Sequence, residues 1–147
     1  QRTVLENIMN VSIQRKEIAR IILSRLLLSE QDMNKTLDML SGGERMKLAF
    51  AMLLVSDANV LVLDEPTNYM DIPSIEALEK LLQEYEGTLV FVSHDMEFVK
   101  NNKNRGYSIF RYLLPIPLHT ELCFHQAFSR GIHLYMFRFQ QPLQEFR

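Results

Sequence analysis

Three short segments hold the side chains best able to do chemistry. Asp64 and Glu65 come directly after the aliphatic run Val60-Leu61-Val62-Leu63. A carboxylate at the C-terminal end of a buried strand can hold a hydrated Mg²⁺ beside phosphates. The next carboxylate can take a proton from an attacking water. Ser93-His94-Asp95 comes after a second aliphatic run, Thr88 to Val92. An imidazole at a strand end can hydrogen-bond a terminal phosphate and place the water. Ser41-Gly42-Gly43-Glu44 precedes the apolar run Met46 to Val55. Two glycines at a helix start let a phosphate come close to free N–H groups, and the helix dipole favours an anion there. Taken singly, each segment also has a plain structural reading: a capped helix start, two solvated acids at a strand end, a structural histidine.

These groups need elements to hold them. The spacing of Ile18, Ile21, Ile22 and Leu26 predicts a helix over 16–28, with those residues on its buried face. Residues 29–40 are more polar and read as a loop with a short helical piece. A helix is expected from the glycines to Val55, with Lys47 on its outer face. Val60 to Leu63 and Thr88 to Val92 read as strands buried on both faces of a parallel sheet. Between them Asp71 is a candidate N-cap, with Pro73 in the first turn. An apolar stripe of Ile75, Leu78, Leu81, Leu82 and Tyr85 follows, and Gly87 ends that helix. Strand, helix, strand in this order implies a parallel crossover unit.

The chain has 147 residues, 47% hydrophobic and 23% charged, which is enough for one domain with a real core. Sixteen Lys and Arg against 18 Asp and Glu leave a net charge of -2, so no overall charge draws it to nucleic acid or a membrane surface. Cys123 is the only cysteine, which excludes an internal disulfide and suits a reducing, cytoplasmic setting. Apolar runs are too short to span a bilayer. Gln1 to Asn7 does not read as a secretory signal, and the chain is expected to begin within a longer protein.

Order and spacing join the three segments. Glu44 precedes Asp64 by 20 residues, and Glu65 precedes His94 by 29. Together they resemble the ATP-binding-cassette (ABC) ATPase family, over residues from about Thr3 to Phe110. The resemblance implies an α/β fold: part of a P-loop NTPase cassette, with a helical subdomain carrying the signature and half of a parallel sheet. It implies ATP and Mg²⁺ as cofactors. Ser41, Gly42, Gly43 and Glu44 match the signature motif, which contacts the γ-phosphate held by a second cassette. Asp64 matches the Walker B aspartate, near Mg²⁺ and reaching it through water. Glu65 matches the catalytic base, Asp71 the D-loop aspartate that crosses to the partner cassette, and His94 the switch histidine.

The family's phosphate-binding loop needs Gly-Lys followed by Ser or Thr. None of the five glycines is followed by lysine. This chain by itself is therefore expected to bind ATP poorly and not to turn it over. The run Asp64-Glu65-Pro66-Thr67-Asn68-Tyr69-Met70-Asp71 is similar to the soluble ABC-F branch, as are Glu84-Tyr85-Glu86-Gly87-Thr88 and Thr3-Val4-Leu5-Glu6-Asn7. That branch implies a second cassette on the same chain, a ribosome partner and, in some members, antibiotic resistance. Tyr69-Met70 stands where His-Leu is more usual, and Met96 where Arg is common. The ATPase subunit of an ABC transporter, or a non-catalytic remnant, are the alternative readings.

Composition changes after about residue 110. Residues 111–147 lack Lys, Asp, Asn and Val and hold seven aromatics. They read as a divergent tail of unknown role beside a cassette segment at 1–110. His119, Cys123, His125 and His133 fit no familiar zinc spacing, so no metal site is expected there. Nothing beyond Phe110 is expected to take part in the chemistry.

Overall fold

Three hydroxyl residues followed three positions later by an acid start three of the helices. The computed structural model describes residues 2–102 and the backbone of strands at 108–109, 127–129 and 132–138. The described chain forms two compact units. One holds residues up to 57 together with 69–82, and the other holds 58–68 and the described residues from 83 onward.

In the helical unit α1 (Val4–Val11) starts at Thr3, whose side chain and Glu6 cap each other reciprocally. α2 covers Lys16–Arg25. α3 (Glu30–Met33) starts at Ser29 with Asp32 as its reciprocal partner. A 3₁₀ turn at Leu37–Met39 completes the loop-and-short-helix stretch expected over 29–40. α4 (Gly42–Val55) starts at Ser41 with Glu44 as partner. Met46, Leu48, Phe50, Leu53 and Val55 are buried on α4, which is the helix that α1 and α2 both pack against.

α2 departs from expectation in length and in face. It stops at Arg25, and Leu27 takes a left-handed φ of 61° that turns the chain out of the helix. The buried stripe is Ala19, Leu23 and Leu26, while Ile18 and Ile21 are exposed at 40% and 53%. Both stripes have helical spacing. The small Ala19 side chain permits close helix approach, and packing against neighbours chose that face.

In the sheet unit β1 (Val60–Asp64) is the first strand. α5 (Ile72–Glu84), which belongs to the helical unit up to Leu82, leads on to β2 (Thr88–Val92) of the sheet unit, and β2 pairs with β1 in parallel from Val60 opposite Thr88 to Asp64 opposite Val92. Asp71 starts α5 as expected, its carbonyl accepting the N–H groups of Ser74 and Ile75 at 3.0 Å each. On β1 burial alternates: Leu61 and Leu63 are buried, Val60 and Val62 only partly so. α6 (Met96–Asn101) is capped by Asp95, and its buried Phe98 meets Phe91 of β2 edge to face with centroids 5.3 Å apart.

Three more strands join this sheet: β3 (Ser108–Ile109), β4 (Ala127–Ser129) and β5 (Ile132–Arg138). The order is β3-β2-β1-β5-β4, with β5 parallel to β1 and β4 antiparallel to β5. The segment read as a divergent tail thus gives β1 its second neighbour. Leu134, Tyr135, Met136 and Phe137 pair with β1 residues 60–63 on successive positions of the register. Aromatic and aliphatic residues suit such a strand, and its backbone covers N–H and C=O groups that β1 would otherwise leave open. His119, Cys123 and His125 lie outside the described residues.

Tyr85 closes the turn between α5 and β2. Its hydroxyl donates to the Ala58 carbonyl at 2.7 Å, and burial pushes its pKa up to about 12. The ring lies over Gly87, where an added Cβ would sit 2.5 Å from Tyr85 Cζ and 2.6 Å from Cε1. The ring is pinned by its hydrogen bond and cannot yield freely. Gly87→Ala is therefore expected to destabilise the chain by about 1–3 kcal/mol. Tyr85→Phe, which loses one hydrogen bond, should cost about 1 kcal/mol. Urea unfolding of the two variants checks the ranking, and an alanine variant as stable as wild type would show that the ring moves away at no cost.

Candidate functional site

Each unit carries its own group of candidate residues. In the sheet unit these are Asp64, Glu65 and His94. Asp64 is the last residue of β1, at the C-terminal edge of the parallel strands. Glu65 continues the ladder by one residue, its N–H donating to the Val92 carbonyl at 2.8 Å. It then takes a φ of 51°, and its carbonyl accepts the Asn68 N–H at 3.2 Å. A left-handed conformation costs a residue with a Cβ roughly 1–2 kcal/mol, and strain of this kind gathers at functional sites.

That turn aims Glu65 at His94. Glu65 Oε2 accepts from His94 Nδ1 at 2.7 Å and from the His94 backbone N–H at 3.3 Å. The His94 side chain is 76% exposed and that of Glu65 26%, so the pair opens to solvent on the histidine side. Donation of its Nδ1–H to Glu65 raises the His94 pKa above its ordinary 6.5, helped by the charges of Glu65 and Asp95. Glu65 is thereby an oriented carboxylate, a group that can accept a proton from a water placed within reach.

Among the described residues no group of three or more His, Cys, Asp or Glu could hold a metal ion. Asp64 is instead a single half-buried carboxylate at a strand end. That fits Mg²⁺, which keeps several waters and binds through one or two carboxylates together with substrate phosphates. It does not fit an all-protein metal cage.

In the helical unit Ser41, Gly42, Gly43 and Glu44 form the first turn of α4. The Ser41 N–H donates to Glu44 Oε2 at 2.6 Å, and the Glu44 N–H donates to Ser41 Oγ at 3.3 Å. The N–H groups of Gly42 and Gly43 have no intrahelical acceptor and point from the positive end of the dipole. A Cβ on Gly42 would meet nothing within 4 Å, and one on Gly43 only the Tyr69 carbonyl oxygen at 3.8 Å. Packing inside the chain therefore requires neither glycine. Bare backbone at these positions suits close approach by a group from outside it.

Asp71 lies in this same unit. Its carboxyl is held below the ordinary carboxylate range by Ser74 and by the Lys47 charge on α4. Tyr69, two residues earlier, is exposed and has a φ of 64°, left-handed like Leu27 and Glu65. Sequence reading did not find the strain at Glu65 and Tyr69, because no local pattern announces it. It also passed over Ser29, Asp32 and Lys35. There a signal was present, since Ser29 and Asp32 repeat the hydroxyl-x-x-acid pattern of Ser41 and Glu44.

The His94–Glu65 pair makes a prediction about pH. Because the folded His94 pKa is raised, the pair's contribution is complete below about pH 6.5 and fades as pH rises through the raised value. An NMR titration should find His94 with a midpoint above 6.5, returning toward 6.5 in Glu65→Gln. A wild-type midpoint at or below the ordinary value would mean that the pair does not form in solution.

Residues 1–68 match the ABC transporter family. Probable ATP-binding protein YbiT of Escherichia coli O157:H7 is 47% identical over 90 residues, 61% of this chain and 17% of that protein. Erythromycin resistance ATP-binding protein MsrA of Staphylococcus epidermidis is 39% identical over 107 residues, 73% of this chain and 22% of that protein. ABC transporter F family member 2 of Arabidopsis thaliana is 40% identical over 105 residues, 71% of this chain and 16% of that protein. This chain spans less than a quarter of each of these relatives. Among solved structures, RNase-L Inhibitor superposes with a TM-score of 0.59 at 25% identity, over 67% of this chain and 20% of that one. The ATP-binding cassette MJ0796 bound to ADP and Pi superposes with a TM-score of 0.54 at 26% identity, over 67% of this chain and 49% of that one. The chain belongs with the ABC ATPases and is most like those of the ABC-F group.

Proposed function

We propose that this segment serves an ATPase of the ABC-F type that binds and hydrolyses ATP together with a second cassette and acts on the ribosome. The Glu65–His94 pair at the edge of the parallel strands carries the reading. A carboxylate there has a hydrogen-bonded partner and lies one residue beyond Asp64. Support for the branch comes from relatives named as F family members and from one named for erythromycin resistance.

In this reading Glu65 takes the proton of the attacking water, and His94 holds Glu65 in place and hydrogen-bonds the terminal phosphate. Asp64 would hold Mg²⁺ through its water shell, and the bound ion would offset phosphate charge. Ser41, Gly42 and Gly43 offer one hydroxyl and two backbone donors to a phosphate held by the second cassette. Asp71 faces that same partner. The site is in the cytoplasm, where ATP and ribosomes are. No described helix is long and apolar enough to cross a membrane.

Two expectations test the proposal. The 147-residue chain contains no Gly-Lys-Ser/Thr loop, so most of the usual phosphate donors are absent from it. Titrated with labelled ATP and Mg²⁺, it should bind only weakly and release no phosphate. Low-micromolar affinity with steady turnover would sink this expectation.

In a complete two-cassette protein, Glu65→Gln keeps the side chain's shape but cannot accept the proton. Hydrolysis should fall ~10²–10⁴-fold while ATP binding persists. The ATP-closed variant should then sediment with ribosomes through a sucrose gradient. Recovery with membranes instead would favour the ATPase subunit of an ABC transporter.

A further inference from the structure

The first turn of α4 is tied to the preceding loop through side chains that the proposed reaction does not use. Lys35 lies between two carboxylates, its Nζ 2.6 Å from Asp32 Oδ1 and 3.3 Å from Glu44 Oε1. Asp32 is fixed in turn, its Oδ2 accepting the Ser29 N–H at 2.8 Å and the Ser29 hydroxyl at 2.6 Å. On the other side Glu44 Oε2 accepts the Ser41 N–H. A continuous polar chain thus runs from the cap of α3 to the cap of α4. The Lys35 carbonyl is engaged as well, accepting the Val4 N–H at 2.9 Å, so the residue's backbone is anchored to the start of α1.

Glu44 is an awkward neighbour for an anion. It stands in the helix turn whose free N–H groups belong to Gly42 and Gly43, and a carboxylate turned toward them would compete with a phosphate for the same donors. Its two oxygens are both occupied here, one by the Ser41 N–H and one by Lys35. The carboxyl is held below its ordinary pKa chiefly by Ser41 and further by Lys35, so it carries a full negative charge near neutral pH. Part-exposed ion pairs add little to stability, so the Lys35 contacts matter for where the Glu44 charge lies more than for holding the fold together.

We propose that Lys35 is a positioning residue of the phosphate-facing turn: it pins Glu44 onto the cap of α4 and keeps that carboxylate off the Gly42 and Gly43 N–H groups. The inference rests on the reading of this turn as a phosphate contact. Lys35 acts through Glu44 and not by touching the phosphate, because its ammonium is shared between Asp32 and Glu44.

The test uses the whole 147-residue chain, tripolyphosphate as probe and the backbone amide NMR signals of Gly42, Gly43 and Ser41, at low ionic strength. In wild type the two glycine amides should shift on titration. Lys35→Gln should weaken tripolyphosphate by about two- to fivefold, the size of a surface charge effect at a helix terminus, and Lys35→Arg should restore it. In a Glu44→Gln background, Lys35→Gln should make no further difference, because the carboxylate it positions is gone. The Ser41 amide, read without any probe, should move in Lys35→Gln and not in Lys35→Arg. A helical circular dichroism signal equal to wild type shows that each variant is folded. Unchanged affinity or an unmoved Ser41 amide in Lys35→Gln overturns the proposal, and so does an equal loss with and without Glu44, which would mean direct contact with the anion. Glycine amides that ignore tripolyphosphate in every variant would remove the phosphate reading of the turn itself, whatever the Ser41 amide reports about Lys35 and Glu44.

Discussion

The parallel pairing of β1 with β2 is the constraint on which the acid–histidine pair depends. Glu65 and His94 are 29 residues apart in the chain and meet because both strands run the same way and end at the same edge. In a parallel pair, residues that follow the last rungs leave on the same side of the sheet. One extra rung, from the Glu65 N–H to the Val92 carbonyl, delays the departure of the first strand. The left-handed φ of Glu65 then turns its side chain toward the second. A slip of one residue in the register would send every side chain of a strand to the opposite face and separate the pair.

The helical unit solves a different problem with the same economy. A helix start has donors to spare, and α4 uses reciprocal capping to satisfy some and leave others free. Ser41 and Glu44 occupy each other's backbone N–H groups, and what remains available is the N–H of the two glycines and the Ser41 hydroxyl proton. α4 is held by burial of Met46, Phe50 and Leu53 and by the helices packed on it, so its first turn need not contribute to the core. That leaves Gly42 and Gly43 free of packing demands from within the chain. The same division holds for Tyr69 and Asp71, which lie beside α4 without being buried.

The end of the chain changes the account of the sheet. β5 gives β1 a parallel neighbour over five registered pairs, and β4 folds back on β5 as a short antiparallel edge. A two-strand β1–β2 pair would leave one side of β1 with open N–H and C=O groups, which is costly for a strand whose Leu61 and Leu63 are buried. The aromatics that made residues 111–147 look foreign are, at Tyr135 and Phe137, members of that neighbouring strand.

Much of this was written into local sequence. The glycine pair, Asp71 with Pro73 two residues on, and the β-branched runs mark where α4, α5, β1 and β2 begin, because capping and strand preference act over a few residues. The order of Ser41–Glu44, Asp64–Glu65 and His94 was enough to name the family. What sequence could not decide were choices made by contacts between distant segments. Both Ile18–Ile21 and Ala19–Leu23 have helical spacing, and only packing against other helices put the second inward. β5 joined β1 across about seventy residues, a pairing that no local pattern encodes. The strained turns at Glu65 and Tyr69 also follow from tertiary demands, since both side chains prefer other backbone conformations when left to themselves. Lys35 was an ordinary loop lysine until the fold set it between Asp32 and Glu44. The physical difference is range: capping and side-chain periodicity act within one or two turns, whereas packing, register and charge placement depend on which surfaces the whole chain brings together.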